Sequence, residues 1–498
     1  MDHRPDIPNE QTAISSAVGA KSVRLAACPM YIAGKRTVAA EKTVVDMTSG
    51  EQVSIATLTR DLVEKVARPS ADLRSLPLDE IVAFLHNVGQ NWKRRDYVRR
   101  TVYERNLVRF LGLSPQAARH EADWIALLLS SSARIHDVLA AELGSAHVID
   151  GWVPRDEAFI KAVPRGVVLH LAPSNVPLSA VISVIRAIAT KNTSVIKMSA
   201  GDPFTPVALL QSFIDVDEHH PVTRSISVVY WPSSNLEVGA EVARSMDAIV
   251  VWGGRDALDW AHQFASDKTA VISFGPKRSL ALISSGADLA AAAEAVAIDV
   301  GLYDQGACFS TREVFIEAPL ASSFREHLSA ALMRVEKVLP ARIVAGDQAA
   351  LTALARAHLA FFDEDQRGLP GDAWYVARAD RELALHPLGR TVVVREFSDL
   401  GDVLDGMDSS VQTVAVFPWE LGLAIRDRCA EMGVSRVVEA GLSNLFRVGG
   451  AHDGIYPLQR LVRFCSNELP SRTRVRGIHV RVRQLEFLEA DRFLEFVP

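Results

Sequence analysis

The spacing of apolar positions changes character along the chain. From about Leu58 to His147 they recur every three to four residues, as in DEIVAFLHNVGQNW and ADWIALLLSSSARIHDVLAAEL. That period lines one face of a helix and predicts a helical layer, in which nothing suggests chemistry. From Arg165 short apolar runs alternate with helical segments: GVVLHLAPS, LSAVISVIRAIAT, TSVIKMS, PVALLQSFI, SISVVYW, NLEVGAEVARSM, DAIVVWGG, DALDWAHQFA and AVISFG. Strands regularly separated by helices predict a parallel sheet with right-handed crossovers.

After Ser279 a second alternating unit holds SLALIS, a long helix to Tyr303, REVFIEA, SSFREHLSAALMRVEKV, RTVVVREF, QTVAVFP, WELGLAIRDRCAEM and SRVVEA. Upstream of Leu58 only MYIAGKRTV stands out, as a strand pair turning at Gly34–Lys35. Near the C-terminus the alternation IHVRV predicts an exposed strand, and such an edge invites pairing with a second subunit. GLPGDA, at 368–373, reads as a surface loop. The fold class is α/β, with two doubly wound parallel-sheet domains and a C-terminal oligomerisation strand. Domain boundaries are expected at 1–278, 279–446 and 447–498.

Composition narrows the class. A chain of 498 residues exceeds what one core serves. A net charge of −6, from 54 basic and 60 acidic residues, makes no case for nucleic acid. Cys28, Cys308, Cys429 and Cys465 lie far apart without CxxC spacing, which argues against a metal site or disulfide framework and fits a reducing compartment. The N-terminus lacks the layout of a signal peptide. The most apolar stretches, near 178–190 and 280–303, are interrupted by Arg186 or by Asp288, Glu294 and Asp299, so no membrane span is expected. A cytoplasmic protein is the expectation.

Polar and glycine signals fall where the predicted strands end: APSN, KMSAGDP, WPSSN, WGGRD and FGPKR. Parallel sheets bind ligands beyond the carboxyl ends of their strands, so this placement favours a dinucleotide site. The fingerprint GxGxxG is absent. Gly253–Gly254, opening a helix after DAIVVW, is the nearest substitute, because small residues there let a phosphate approach backbone N–H groups. The alternative is a tight strand-to-helix turn. In DQGACFSTR, from Asp304 to Arg312, Cys308 sits behind a turn of small residues. A thiol held there can act as a nucleophile, or it can simply be a small buried hydrophobe.

Together these motifs resemble the aldehyde dehydrogenase superfamily, and within it the fatty acyl-CoA reductase branch, from about residue 150 to 490. DQGACFS resembles the superfamily's NQGQxC nucleophile segment. APSNVP, Ala172–Pro177, resembles PWNFP, whose asparagine helps to form the oxyanion hole. IKMSAGDP resembles the KPSE segment at the adenosine ribose, and VWGGRDA the FTGST turn under the pyrophosphate. GGAHDGIYPLQRLVRF resembles the C-terminal signature of the reductase branch.

The resemblance implies a Cys308 acyl-enzyme whose oxyanion is held by Asn175 and the Cys308 backbone N–H. It implies cofactor contacts at Lys197, Ser199, Gly253, Gly254 and Gly275. Ser273, in SFGPKRS, stands where hydrolytic members keep a general-base glutamate, which favours reduction over hydrolysis. Ala200 replaces the glutamate of NAD-preferring members, which admits NADPH. His386, in HPLGRTVVV, occupies the position of a glutamate that grips the nicotinamide ribose, and is either a ribose contact or structural. His452, in GGAHDG, is either a proton donor or a loop-holding residue. The implied reaction is NADPH-dependent reduction of a long-chain acyl thioester to an aldehyde, with CoA as leaving group. The acyl group would come from acyl-CoA or a partner synthetase, in a homodimer or homotetramer. Rival readings are a CoA-acylating dehydrogenase running in the oxidative direction, a cysteine acyltransferase or thioesterase, and a silent scaffold.

Overall fold

Short β-branched runs between helices close into two parallel sheets. The structure, a computed structural model, describes residues 25–468 apart from 157, 345, 363–367, 369–371 and 380–385. The first sheet has seven strands in the order Ala270–Phe274, Ala248–Trp252, Val167–Leu171, Thr193–Lys197, Ile226–Val229, Met30–Ile32, Lys35–Thr37. The first five are mutually parallel. Central strands such as VVLHL and AIVVW are buried throughout, as expected when helices cover both faces. Neighbouring residues accordingly enter different cores, Val195 on one side of the sheet and Ile196 on the other.

The MYIAGKRTV hairpin joins this sheet antiparallel to Ile226–Val229. Its corner falls at Ala33–Gly34, one residue before the position read from sequence, with φ of 49° and 74°. A Cβ on Gly34 would lie 2.8 Å from the Thr223 carbonyl oxygen, so conformation and space both select glycine.

The second sheet has six parallel strands in the order Tyr375–Arg378, Thr391–Phe397, Thr311–Glu317, Arg278–Ile283, Val411–Phe417, Arg436–Glu439. The helices Leu289–Gly301 and Ala321–Val338 share one core with it, while Trp419–Glu431 packs into another. A small antiparallel sheet pairs Val462–Glu468 with Ala158–Pro164, which returns the chain from the second sheet to the approach of the first.

The helical layer comprises Leu78–Lys93, Val98–Leu111, Pro115–Ser130 and Ser132–Leu143. The long run ADWIALLLSSSARIHDVLAAEL is two helices, broken at Ser131, whose hydroxyl donates to the Leu127 carbonyl at 2.6 Å. A side chain competing for backbone hydrogen bonds is a common cause of such a break. The helix Asp347–Phe362 has no counterpart in the sequence reading; exposed Leu351 and Leu354 blur its apolar stripe. The IHVRV segment at 478–482 and half of GLPGDA, 369–371, lie outside the described residues. Among the described residues no helix is long and apolar enough to cross a membrane.

Candidate active site

The turn that carries Cys308 is built against backbone preference. Tyr303, Asp304 and Gln305 all have left-handed φ, at 59°, 49° and 63°, a region that non-glycine residues enter only when their surroundings hold them. The hold is explicit. Buried Arg390 donates to Asp304 Oδ1 at 2.6 Å and to Glu336 at 2.7 Å. The Gln305 amide donates to the carbonyls of Thr311 and Thr391 at 2.9 and 2.7 Å. The chain then enters the strand Thr311–Glu317 with Cys308 facing a cavity.

That cavity, of about 1080 Å³, takes in Cys308, Asn175, His452 and five of the residues expected at a cofactor: Lys197, Ser199, Gly253, Gly254 and Gly275. The Asn175 side-chain amide donates to the Gly306 carbonyl at 2.5 Å, tying the APSNVP segment to the Cys308 turn. Gly254 caps the helix Arg255–Phe264 without a side-chain hydrogen bond, and a Cβ there would meet open space. The helix N-terminus thus presents backbone N–H groups to an anion, with Asp256 also on the wall. Lys197, at the carboxyl end of its strand, lies 5.2 Å over the Trp231 ring and is pulled down to about 8 by burial. These features fit a dinucleotide. Ser273 is not on the cavity wall, whereas Phe274 and Gly275 are, so this strand brings no carboxylate to the thiol.

The helical layer is not inert, as its sequence had suggested. Trp124, Leu128, Ile135 and Val138 line the cavity and supply much of its apolar wall. Sequence alone could not show this, because the residues that face a cavity share the helical period of those that face a core.

Burial, then the charge of Asp453, pushes the Cys308 thiol up to about 11. The Gln412 amide opposes this, donating to Sγ at 3.0 Å. Both residues escaped the sequence reading; Asp453 adjoins His452 in GGAHDG, but nothing local marks Gln412. His452 itself is buried, stacked on Phe446 at 4.5 Å and edge-on to Phe274 and Trp252. Burial and the neighbouring Arg186 and Arg436 hold it well below the usual histidine range. A neutral ring caged by aromatics fits loop-holding better than proton donation. His386 is not on the cavity wall. Its Nδ1 accepts from the Leu388 N–H at 3.1 Å and its Nε2 lies 3.2 Å from the Arg312 carbonyl. Burial drives it down to about 3. The geometry favours the structural histidine over a ribose contact.

Two parallel sheets meeting at one cavity, one delivering a thiol and the other an open helix N-terminus, define an enzyme of the aldehyde dehydrogenase fold. The same fold is seen in the NADP-dependent glyceraldehyde-3-phosphate dehydrogenase of Bacillus halodurans C-125, with a TM-score of 0.71 and 16% identity over 89% of this chain and 99% of that one. Lactaldehyde dehydrogenase from Escherichia coli superposes with a TM-score of 0.70 and 16% identity, covering 90% of this chain and 100% of that one. More particularly, the chain belongs to the acyl-CoA reductase (LuxC) family, whose pattern matches residues 73–464. It is 42% identical over 429 residues to the long-chain acyl-protein thioester reductase of Vibrio harveyi, covering 86% of this chain and 90% of that protein. It is 41% identical over 457 residues to that of Aliivibrio fischeri, covering 91% and 95%. The protein is an oxidoreductase.

Proposed function

We propose that this enzyme reduces a long-chain acyl thioester to the free aldehyde with NADPH, carrying the acyl group on Cys308. The observation that supports this best is the meeting of Cys308, Asn175 and an open helix N-terminus in one cavity with an apolar helical wall. Its relatives' activity, named as reduction of long-chain acyl-protein thioesters, points to the same substrate class.

In this reading the Cys308 thiolate attacks the acyl carbonyl and the donor thiol leaves. Asn175 and the Cys308 backbone N–H stabilise the oxyanion, donors typically worth about 3–4 kcal/mol each. Gly253, Gly254, Lys197 and Ser199 would hold the nucleotide, whose nicotinamide supplies hydride to the acyl carbon. Ala200 leaves no carboxylate to repel a 2′-phosphate, and the cation of Lys197, depressed by burial, gains most from such an anion. With Ser273 off the wall, water activation is weak and the acyl group survives until it is reduced. The acyl group arrives as acyl-CoA or from a partner synthetase.

The test is NADPH oxidation by purified enzyme against a series of acyl-CoAs, with the aldehyde trapped and identified, and Cys308→Ser alongside. Aldehyde from wild type alone is the expected result. Thiol release without NADPH oxidation would replace the proposal with a thioesterase or acyltransferase.

A further inference from the structure

The strand Arg278–Ile283 is flanked by two strands that each carry one extra residue, on either side of Ser279. On one side the register passes from Ser279 opposite Thr311 to Leu280 opposite Glu313, leaving Arg312 unpaired. On the other it passes from Arg278 opposite Val411 to Ser279 opposite Thr413, leaving Gln412 unpaired. A bulge re-aims the side chain of the extra residue, and bulges concentrate beside active sites. Here Arg312 reaches the cavity wall and Gln412 reaches the Cys308 sulfur at 3.0 Å.

We propose that Gln412 is a catalytic residue, donating a hydrogen bond to the Cys308 sulfur whenever that sulfur is anionic, and that Asp453 is the positioning residue that orients its amide. This deepens the reading of Cys308 as acyl carrier and rests on it. The same Gln412 nitrogen that touches Sγ also donates to Asp453 Oδ1, so both of its protons are committed. The amide oxygen faces the Thr413 hydroxyl at 3.5 Å. Reversing the amide would set its oxygen against a carboxylate and a sulfur anion together, which Asp453 forbids. Asp453 is itself held in a tight two-residue turn, between His452 and Ile455, with φ of 52°.

The sulfur is anionic twice in the cycle. In acylation the Cys308 S–C bond forms as the donor's C–S bond breaks, and the departing thiolate takes a proton from solvent. After the cofactor's hydride has reduced the acyl carbon, the resulting alkoxide closes to the aldehyde carbonyl. The Cys308 S–C bond breaks and its electron pair returns to Sγ, where the Gln412 N–H receives it. That step consumes no proton, which removes the need for an acid at His452. The other charges facing the sulfur are Arg312 and Arg436, and those facing Asp453 are Lys277, Arg436 and Arg186.

The test is the pH profile of Cys308 alkylation by iodoacetamide, followed on the Cys308 peptide by mass spectrometry because Cys465 is exposed, with acylation by acyl-CoA measured in parallel. Gln412→Leu should move the midpoint upward by about one pH unit and slow acylation roughly tenfold, while NADPH affinity stays unchanged. Asp453→Asn keeps an acceptor and removes the charge, so it should move the midpoint downward. A purely structural pair would not shift the midpoint in opposite directions. Unchanged profiles in Gln412→Leu, or an upward shift in Asp453→Asn, would overturn the proposal. Failure of wild type to acylate Cys308 would instead sink the proposed function, while opposite alkylation shifts would still support the hydrogen bond to sulfur.

Discussion

Asn175 is tied to the Gly306 carbonyl, two residues before the nucleophile, and this contact sets its task at the residue scale. One N–H of its amide holds the turn; in the proposed reaction the second would serve the carbonyl oxygen of an acyl group. Asn175→Ala should slow acylation by about 10²–10³-fold, the usual cost of losing one oxyanion donor. Stopped-flow release of CoA would measure this, with NADPH affinity expected to stay at the wild-type value. An unchanged acylation rate would reduce Asn175 to a brace for the turn. The family resemblance of APSNVP and DQGACFS marked Asn175 and Cys308 as partners. It did not mark Gln412, 104 residues from Cys308, because a hydrogen bond across that separation leaves no local pattern.

At the scale of elements, the strand runs were legible because strands buried on both faces must be continuously apolar. The helix Arg255–Phe264 was legible too, and its opening glycine carries a consequence. Since a side chain at Gly254 meets open space and its φ of −73° suits any residue, Gly254→Leu should fold normally. It would project a side chain where a phosphate is proposed to sit. NADPH affinity should fall roughly tenfold or more, about 1.4 kcal/mol, by fluorescence titration. Acylation of Cys308 should be little affected. Equal losses in both would point to a distorted sheet edge rather than a blocked cofactor. The break at Ser131 and the helix Asp347–Phe362 escaped the periodicity, the first because the apolar stripe continues through it and the second because its exposed leucines disguise the stripe.

At the scale of the molecule, the apolar wall formed by the N-terminal helices is where the proposed long acyl chain would lie. Val138 lines it from the helix Ser132–Leu143. Val138→Trp should shorten the space available to the acyl chain. Excluding two methylenes costs about 1.6 kcal/mol, so kcat/KM for the longest acyl-CoAs should fall at least tenfold, with short ones spared. A uniform loss across the series would place the acyl chain elsewhere.

The strands at the centre of both parallel sheets, most of the helices and the order of the motifs were determined by the sequence alone, because each is written in the side-chain period or in a few consecutive residues. Edge and connecting strands such as Glu41–Asp46, Gln52–Thr57, Ala158–Pro164 and Tyr375–Arg378 were not. Cys308 was singled out as a candidate nucleophile by the resemblance of its segment to a family motif. Which helices wall the cavity, why His386 stands back from it, and what serves the Cys308 sulfur were decided only by the tertiary structure. Those features depend on residues far apart in the chain, brought together by two sheets, two bulges, and a left-handed turn held by buried Arg390 at Asp304 and by the Gln305 amide. The free energy that selects them is shared across the whole packed assembly, and no short stretch of sequence records it.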